Sequence, residues 1–351
     1  MNEIAENIVK IIKDFEGDGS ATMNVEHVLK WVNQFEEDDR LFLLTELEHI
    51  LKQTYFSKSK ILDCIFNKIS FLAQSKGYRN DASFLVNAIF IATQDKEKSQ
   101  TEILNLFYDA LPSKYNIEKK HLGSKSKKYI IYFDDVLATG KTTFDELKIW
   151  LNNTSQDSKK YFELLKFRRF DLIVFTLSCH EWGRTNIEYQ IKYEFGEEVR
   201  KRIEYHNCFC IENNPYDFNP KLNFVYPVNQ DKELVNDYFQ SIHSGSYPKH
   251  EKVAFRKNGS PNKETFFTSP ENRIRYENIL LDKGIDILGR VESLKSKQIR
   301  PLGYTVLSHK TFGLGTQYFT WRNISNTNPL VFWWKNHGWY PLFPVKNRGQ
   351  N

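Results

Sequence analysis

Two adjacent acids, Asp134 and Asp135, end the apolar run Tyr129-Ile130-Ile131-Tyr132-Phe133. After Val136 and Leu137 come Ala138, Thr139, Gly140, Lys141, Thr142 and Thr143. A short run of aromatic and β-branched residues predicts a buried strand. The small, hydroxyl-bearing residues around one glycine predict a turn onto a helix over 142–151. In an open α/β sheet, ligands collect outside the carboxyl ends of strands. A helix start there offers backbone N–H groups, and Thr139 and Thr142 add hydroxyl donors, so a phosphate fits. Gly140 lets the backbone approach closely. The acids repel a phosphate, but they accept hydrogen bonds from the hydroxyls of an attached sugar.

Gly140-Lys141-Thr142 also matches the end of a nucleoside-triphosphate P-loop. That motif needs a glycine about five residues earlier, where backbone wraps the phosphates. The residue there is Asp135. A carboxylate in that place argues against the P-loop.

Other groups could carry chemistry. Cys179-His180-Glu181 follows an apolar strand predicted over 171–177, again at a carboxyl edge. His180 is a candidate proton donor there, and Cys179 reads as a buried thiol. His206, Cys208 and Cys210 alternate as side chains on one face of a strand do. Zinc sites draw on wider spacings, so alternation in a strand is the better account. Arg256 and Lys257 lie in a Ser-, Gly-, Pro- and Lys-rich stretch, 244–270, that reads as a loop or lid.

The positioning elements follow from periodicity. Residues 1–75 read as helices, with Ile8, Ile12, Ile61, Ile69 and Leu72 on apolar faces. Phe84 to Ala92 reads as a helix running into a strand, or as one buried element. Thr101 to Leu111 is a helix candidate. Strand, helix and strand in succession predict a parallel α/β sheet flanked by helices. Beyond it, Leu222 to Val228 reads as a strand and Asp231 to Ile242 as a helix. Glu271 to Glu292 reads as a helix broken near Gly284. The glycine-rich, aromatic tail from Pro301 is too apolar to lie free in water. The expected organisation is a helical unit over 1–78, a core over 79–243, and a lid with a packed C-terminal extension over 244–351.

Composition narrows the class. With 40% hydrophobic and 26% charged residues, the chain folds rather than staying disordered. Its four cysteines suggest no disulfide framework. The acidic start is unlike a leader, and no run approaches the ~18 apolar residues of a membrane span. A cytoplasmic protein off the membrane is expected. The net charge of +5 is mild. Lys119, Lys120, Lys125, Lys127 and Lys128 fit a solvated face or a direct nucleic-acid contact.

The stretch 129–143 resembles the signature loop of the type I phosphoribosyltransferases. The resemblance implies that Asp134 and Asp135 hold the ribose hydroxyls of phosphoribosyl diphosphate. It implies that Ala138, Thr139, Gly140, Lys141 and Thr142 hold the 5-phosphate. It implies Mg2+ bridging diphosphate and ribose oxygens, which the two acids touch only through ribose or water. A diphosphate loop is implied after an earlier strand. Its best place is Thr93 to Thr101, with Lys98 and Ser99 as contacts and Lys96 as a second option; a solvated turn is the alternative. His180 could then face the diphosphate, and Arg256 and Lys257 could neutralise it from the lid.

A wider resemblance covers nearly the whole chain. It rests on Trp31, Gln34, Phe35 and Arg40, on Thr311-Phe312-Gly313-Leu314-Gly315-Thr316, and on Trp339-Tyr340-Pro341-Leu342-Phe343-Pro344. Together with the central loop these are similar to phosphoribosyltransferase-like effectors of bacterial conflict systems, including retron antiphage systems. That implies a toxic enzyme of the pentosyltransferase class held in a complex with a defence component such as a reverse transcriptase with its RNA or DNA. The alternatives are a non-catalytic regulatory or structural subunit, and ribosyl transfer or hydrolysis using NAD or another nucleotide.

Overall fold

The computed structural model describes residues 1–91, 93, 99–156, 158–214, 221–243, 254–307 and 310–345. Helices α1 (Asn2–Ile12), α2 (Val25–Val32) and α3 (Glu37–Thr54) precede a short strand, β1 (Tyr55–Phe56). Helices α4 (Lys58–Ser75) and α5 (Asp81–Leu85) lead into β2 (Ala88–Ile91), and α6 (Ser99–Tyr115) leads into β3 (Tyr129–Leu137). Then come α7 (Lys141–Asn152), α8 (Tyr161–Lys166), β4 (Asp171–His180), α9 (Glu181–Phe195), α10 (Glu197–Arg200) and β5 (Ile203–Ile211). The chain closes with α11 (Glu233–His243), α12 (Pro270–Gly289), β6 (Phe319–Thr320) and α13 (Leu330–Trp333).

These elements form two compact units. One is Ser59–Cys210; the other joins Met1–Lys58 to Ile211–Asn351. The expected segments 1–78, 79–243 and 244–351 do not coincide with them, because α4 falls with the sheet and the two chain ends share a unit.

The continuous unit is the expected α/β layer. Its sheet has the order β2-β3-β4-β5. Strands β2, β3 and β4 pair in parallel, with Ala88 opposite Tyr129 and Asp134 opposite Thr176. Helices cover both faces, so β3 and β4 are apolar almost throughout. On one face Ile130, Tyr132 and Val174 pack with Leu147, Leu151, Ile187 and Ile191 of α7 and α9. The ring of Phe133 meets Phe175 edge-on at 5.3 Å. His206, Cys208 and Cys210 lie on β5.

Two strands outrun their expected ends. β3 does not stop at Phe133 but continues through the acid pair to Leu137, and β4 continues past Leu177 to His180. The reason is shared: the strands carry each other's polar ends, with Val136 opposite Ser178 and Leu137 opposite Cys179.

In the other unit, Asn24 caps α2 by accepting from the His27 N–H at 2.8 Å. Ser269 caps α12, with Pro270 in its first turn. The tail packs on the N-terminal helices. Trp31 stacks on Phe332 and donates its indole N–H to the Val331 carbonyl at 2.8 Å. β1 pairs in parallel with β6, Tyr55 opposite Phe319. Three expectations are corrected here. Leu222–Val228 is irregular backbone rather than a strand, although Leu222 and Val225 are buried. α12 runs unbroken through Gly284, whose missing Cβ leaves room for the Pro301 carbonyl. Arg256 is no diphosphate-neutralising lid residue. It is buried and paired with Glu277 at 2.9 Å, and Glu277 also pairs with buried Arg273. Among the described residues, no helix is long and apolar enough to cross a membrane.

Candidate functional site

The acid pair sits inside β3, so the two carboxyls leave the backbone on opposite sides. Asp134 is 4% exposed. Its Oδ1 accepts the Asp135 N–H at 2.8 Å, and its Oδ2 lies 3.3 Å from the Tyr132 hydroxyl. Burial, with the charges of Asp135 and Glu146, pushes the Asp134 carboxyl well above the usual carboxylate range. Asp135 is half-buried, and its Oδ1 accepts the Val136 N–H at 2.7 Å. Of the two acids, Asp135 is the one that keeps a face toward solvent.

The turn after β3 is set by two glycines. Gly140 caps α7 in the left-handed region, φ +83°. A Cβ there would meet the Gly183 carbonyl at 2.6 Å. Gly183, in the first turn of α9, lies so close to the turn that its own Cβ would come 2.0 Å from the Ala138 carbonyl. Asn186 of α9 donates to the Thr139 carbonyl at 3.3 Å. The α9 surface thus holds Ala138, Thr139 and Gly140 against the start of α7. Thr139 Oγ1 lies 3.5 Å from the Lys141 N–H. Lys141 and Thr142 are exposed on the first turn of α7, with Lys141 paired to Asp145 at 2.6 Å. The described loop therefore presents a helix start, a hydroxyl and an exposed cation one after another, a composition suited to an anion.

Thr93, past β2, and Gln100, at the start of α6, are tied to the same strand. Gln100, fully buried, donates to the Phe133 carbonyl at 2.5 Å and accepts the Thr93 N–H at 2.8 Å. Ser99 begins α6 and is half-buried. Lys98 and Lys96 lie outside the described residues.

His180 is the last residue of β4 and immediately precedes α9. It is fully buried, and burial pushes its imidazole down to about 3. The ring is neutral near pH 7. Burial also pushes the Cys179 thiol up to about 12, which suits a structural thiol and not a nucleophile.

Sequence reasoning missed Tyr132, Glu146, Gln100 and Gly183 as parts of this arrangement. Glu146 lies three residues after buried Thr143, on the inward face of α7, and that spacing was the available signal. Gly183 follows a strand edge inside a helix, where glycine costs about 1 kcal/mol and so marks a close approach. Among the described residues, no group of three His, Cys, Asp or Glu could hold a metal unaided.

A parallel sheet covered by helices, with an acid pair and a glycine turn at a strand's carboxyl edge, defines a phosphoribosyltransferase-like protein. The chain belongs to the PRTase-CE family, whose sequence profile matches residues 28–345. No curated protein and no solved structure matches it. The match takes in most of α2, all of α3 and the aromatic tail as well as the sheet, and leaves out α1.

Proposed function

We propose that this chain binds phosphoribosyl diphosphate at the carboxyl edge of β3 and transfers its ribosyl group. The observation that carries this reading is the turn from Asp135 through Gly140 into α7. It brings a half-exposed carboxylate and an anion-binding helix start within one short stretch of chain. Asp135 accepts from the ribose hydroxyls, and the turn at Thr139 to Thr142 cradles the 5-phosphate. The bond from C1 to diphosphate breaks with its electron pair leaving on diphosphate, and a nucleophile's lone pair forms the new bond to C1. Positive charge gathers on the ribose as the old bond lengthens, so a nearby carboxylate favours the transition state.

Magnesium fits this arrangement. It would bind mainly through substrate phosphates, ribose oxygens and water, with Asp135 reaching it through ribose or water. Bound there, it would neutralise the charge growing on diphosphate. The test is incubation with phosphoribosyl diphosphate and magnesium, followed by diphosphate measurement and mass analysis of the products. Diphosphate release with a ribosylated product supports transfer. A product formed from NAD alone assigns another donor.

One observation favours a second reading, a binding subunit without turnover: Asp134 is enclosed and shifted toward its neutral form. Saturable binding without diphosphate release selects it. The role of antiphage effector, in complex with a reverse transcriptase and its nucleic acid, is proposed from the resemblance at both chain ends. Co-expression with the neighbouring genes and affinity purification test it. A protein that elutes alone contradicts it.

A further inference from the structure

We propose that Glu146 is a positioning residue that holds Thr93, two residues past β2, to the acid pair through Tyr132. This rests on the reading that the acid pair binds a ribosyl donor. Glu146 projects from the second turn of α7. Its Oε2 accepts the Tyr132 hydroxyl at 2.7 Å, and the same oxygen accepts the Thr93 hydroxyl. The Tyr132 hydroxyl also lies 3.3 Å from Asp134 Oδ2. Four polar groups from β3, α7 and the residue two past β2 thus share one short chain of contacts.

A second tie runs parallel to the first. The Thr93 N–H is held by Gln100, and Gln100 is held by the carbonyl of Phe133, the residue just before Asp134. Thr93 and Gln100 are therefore both held to β3 beside the acid pair. Ser99, which the motif resemblance marks for diphosphate, immediately precedes Gln100. The ties set the spacing between the ribose side and the diphosphate side of one ligand.

Stability alone does not call for this arrangement. Glu146 adds a third carboxyl beside Asp134 and Asp135, and its charge works against ionisation of Asp134. Like charges gathered at a buried strand end weaken the fold. A hydrophobic residue at position 146 would cover Tyr132 without that repulsion. What a hydrophobic residue cannot provide is an acceptor oxygen for two hydroxyls from different elements.

The experiment is calorimetric titration of the full chain with phosphoribosyl diphosphate and magnesium, and separately with ribose 5-phosphate. Wild type is compared with Glu146→Ala, Glu146→Gln and Thr93→Val. Glu146→Ala and Thr93→Val should each weaken phosphoribosyl diphosphate about tenfold, as loss of a hydrogen bond to a charged group does. Ribose 5-phosphate, which does not reach the diphosphate side, should change by less than about threefold. Glu146→Gln keeps an acceptor oxygen and should recover most of the loss. Thr93 is exposed, so its isosteric replacement keeps the test sound should Glu146→Ala fail to fold. Wild-type affinity in both Thr93→Val and Glu146→Ala, or equal losses for the two ligands, overturns the proposal and leaves the binding reading standing. A wild type that binds neither ligand overturns both.

Discussion

Asp134 and Asp135 are neighbours with opposite surroundings, and their replacements should differ accordingly. Asp134 is enclosed, and burial shifts its carboxyl toward the neutral form, which asparagine imitates in shape and charge. Asp134→Asn should leave the melting temperature within about 2 °C of wild type, a small change on the scale of a lost surface contact. Asp135→Asn removes the half-exposed charge and should weaken donor binding by about tenfold or more in calorimetry. His180 supplies a pH dependence with a definite sign. Unfolded, the ring titrates at the ordinary 6.5; folded, burial holds it at about 3. Above pH 6.5 neither state carries the proton, and His180 leaves stability intact. Below it, the unfolded chain gains a proton that the folded chain refuses, so stability falls as pH drops from 6.5 toward 3. By pH 5 the loss is about 2 kcal/mol. Denaturant unfolding at pH 7 and pH 5 should show this loss in wild type and its removal in His180→Gln. The acid pair was legible in the sequence because adjacent acids after an apolar run are unusual. Their unequal burial was not, since it depends on β3 continuing to Leu137.

At the scale of elements, the turn from β3 into α7 works because α9 lies against it. Gly183 leaves no room for a methyl group beside the Ala138 carbonyl. Gly183→Ala should displace the turn, cost about 1–3 kcal/mol as overpacking does, and weaken donor binding in the same protein. Denaturant unfolding and calorimetry read the two effects. An alanine variant with unchanged stability and affinity would show that the contact is not tight. The parallel strands and their helices were readable from period and length, because a strand covered on both faces is apolar throughout. Leu222 to Val228 misled for the same reason. Its buried residues look like a strand, yet side chains satisfy much of its backbone: the Leu222 and Phe224 carbonyls accept from Arg273, and the Tyr226 N–H donates to Glu277. Apolar pattern reports burial; it does not report which groups satisfy the backbone.

At the scale of the molecule, the chain ends meet in one unit, and the family match spans residues 28 to 345. Phe343 stacks on Phe319 at 4.9 Å and meets Phe15 edge-on at 5.0 Å. His27 holds the Tyr340 hydroxyl at 2.7 Å and the Leu342 carbonyl at 2.8 Å. Trp333 is fully buried and donates to the Asn328 carbonyl at 2.8 Å. Trp333→Ala should cost about 3–5 kcal/mol, a large core truncation, read by chemical denaturation. Limited proteolysis should spare the tail in wild type and release it in that variant. That the tail packs was legible from its aromatic content. That it shares a core with the first helices was not, because no periodicity links Trp31 to Phe332 across 300 residues of chain.

The central claim is that the turn at 134–142 holds a ribosyl donor. Titration of the purified full chain with phosphoribosyl diphosphate and magnesium tests it most directly, beside the double variant Asp134→Asn with Asp135→Asn. The account predicts saturable binding to wild type and its loss in a double variant that still unfolds cooperatively. Binding of equal affinity to both proteins, or none to wild type, contradicts it.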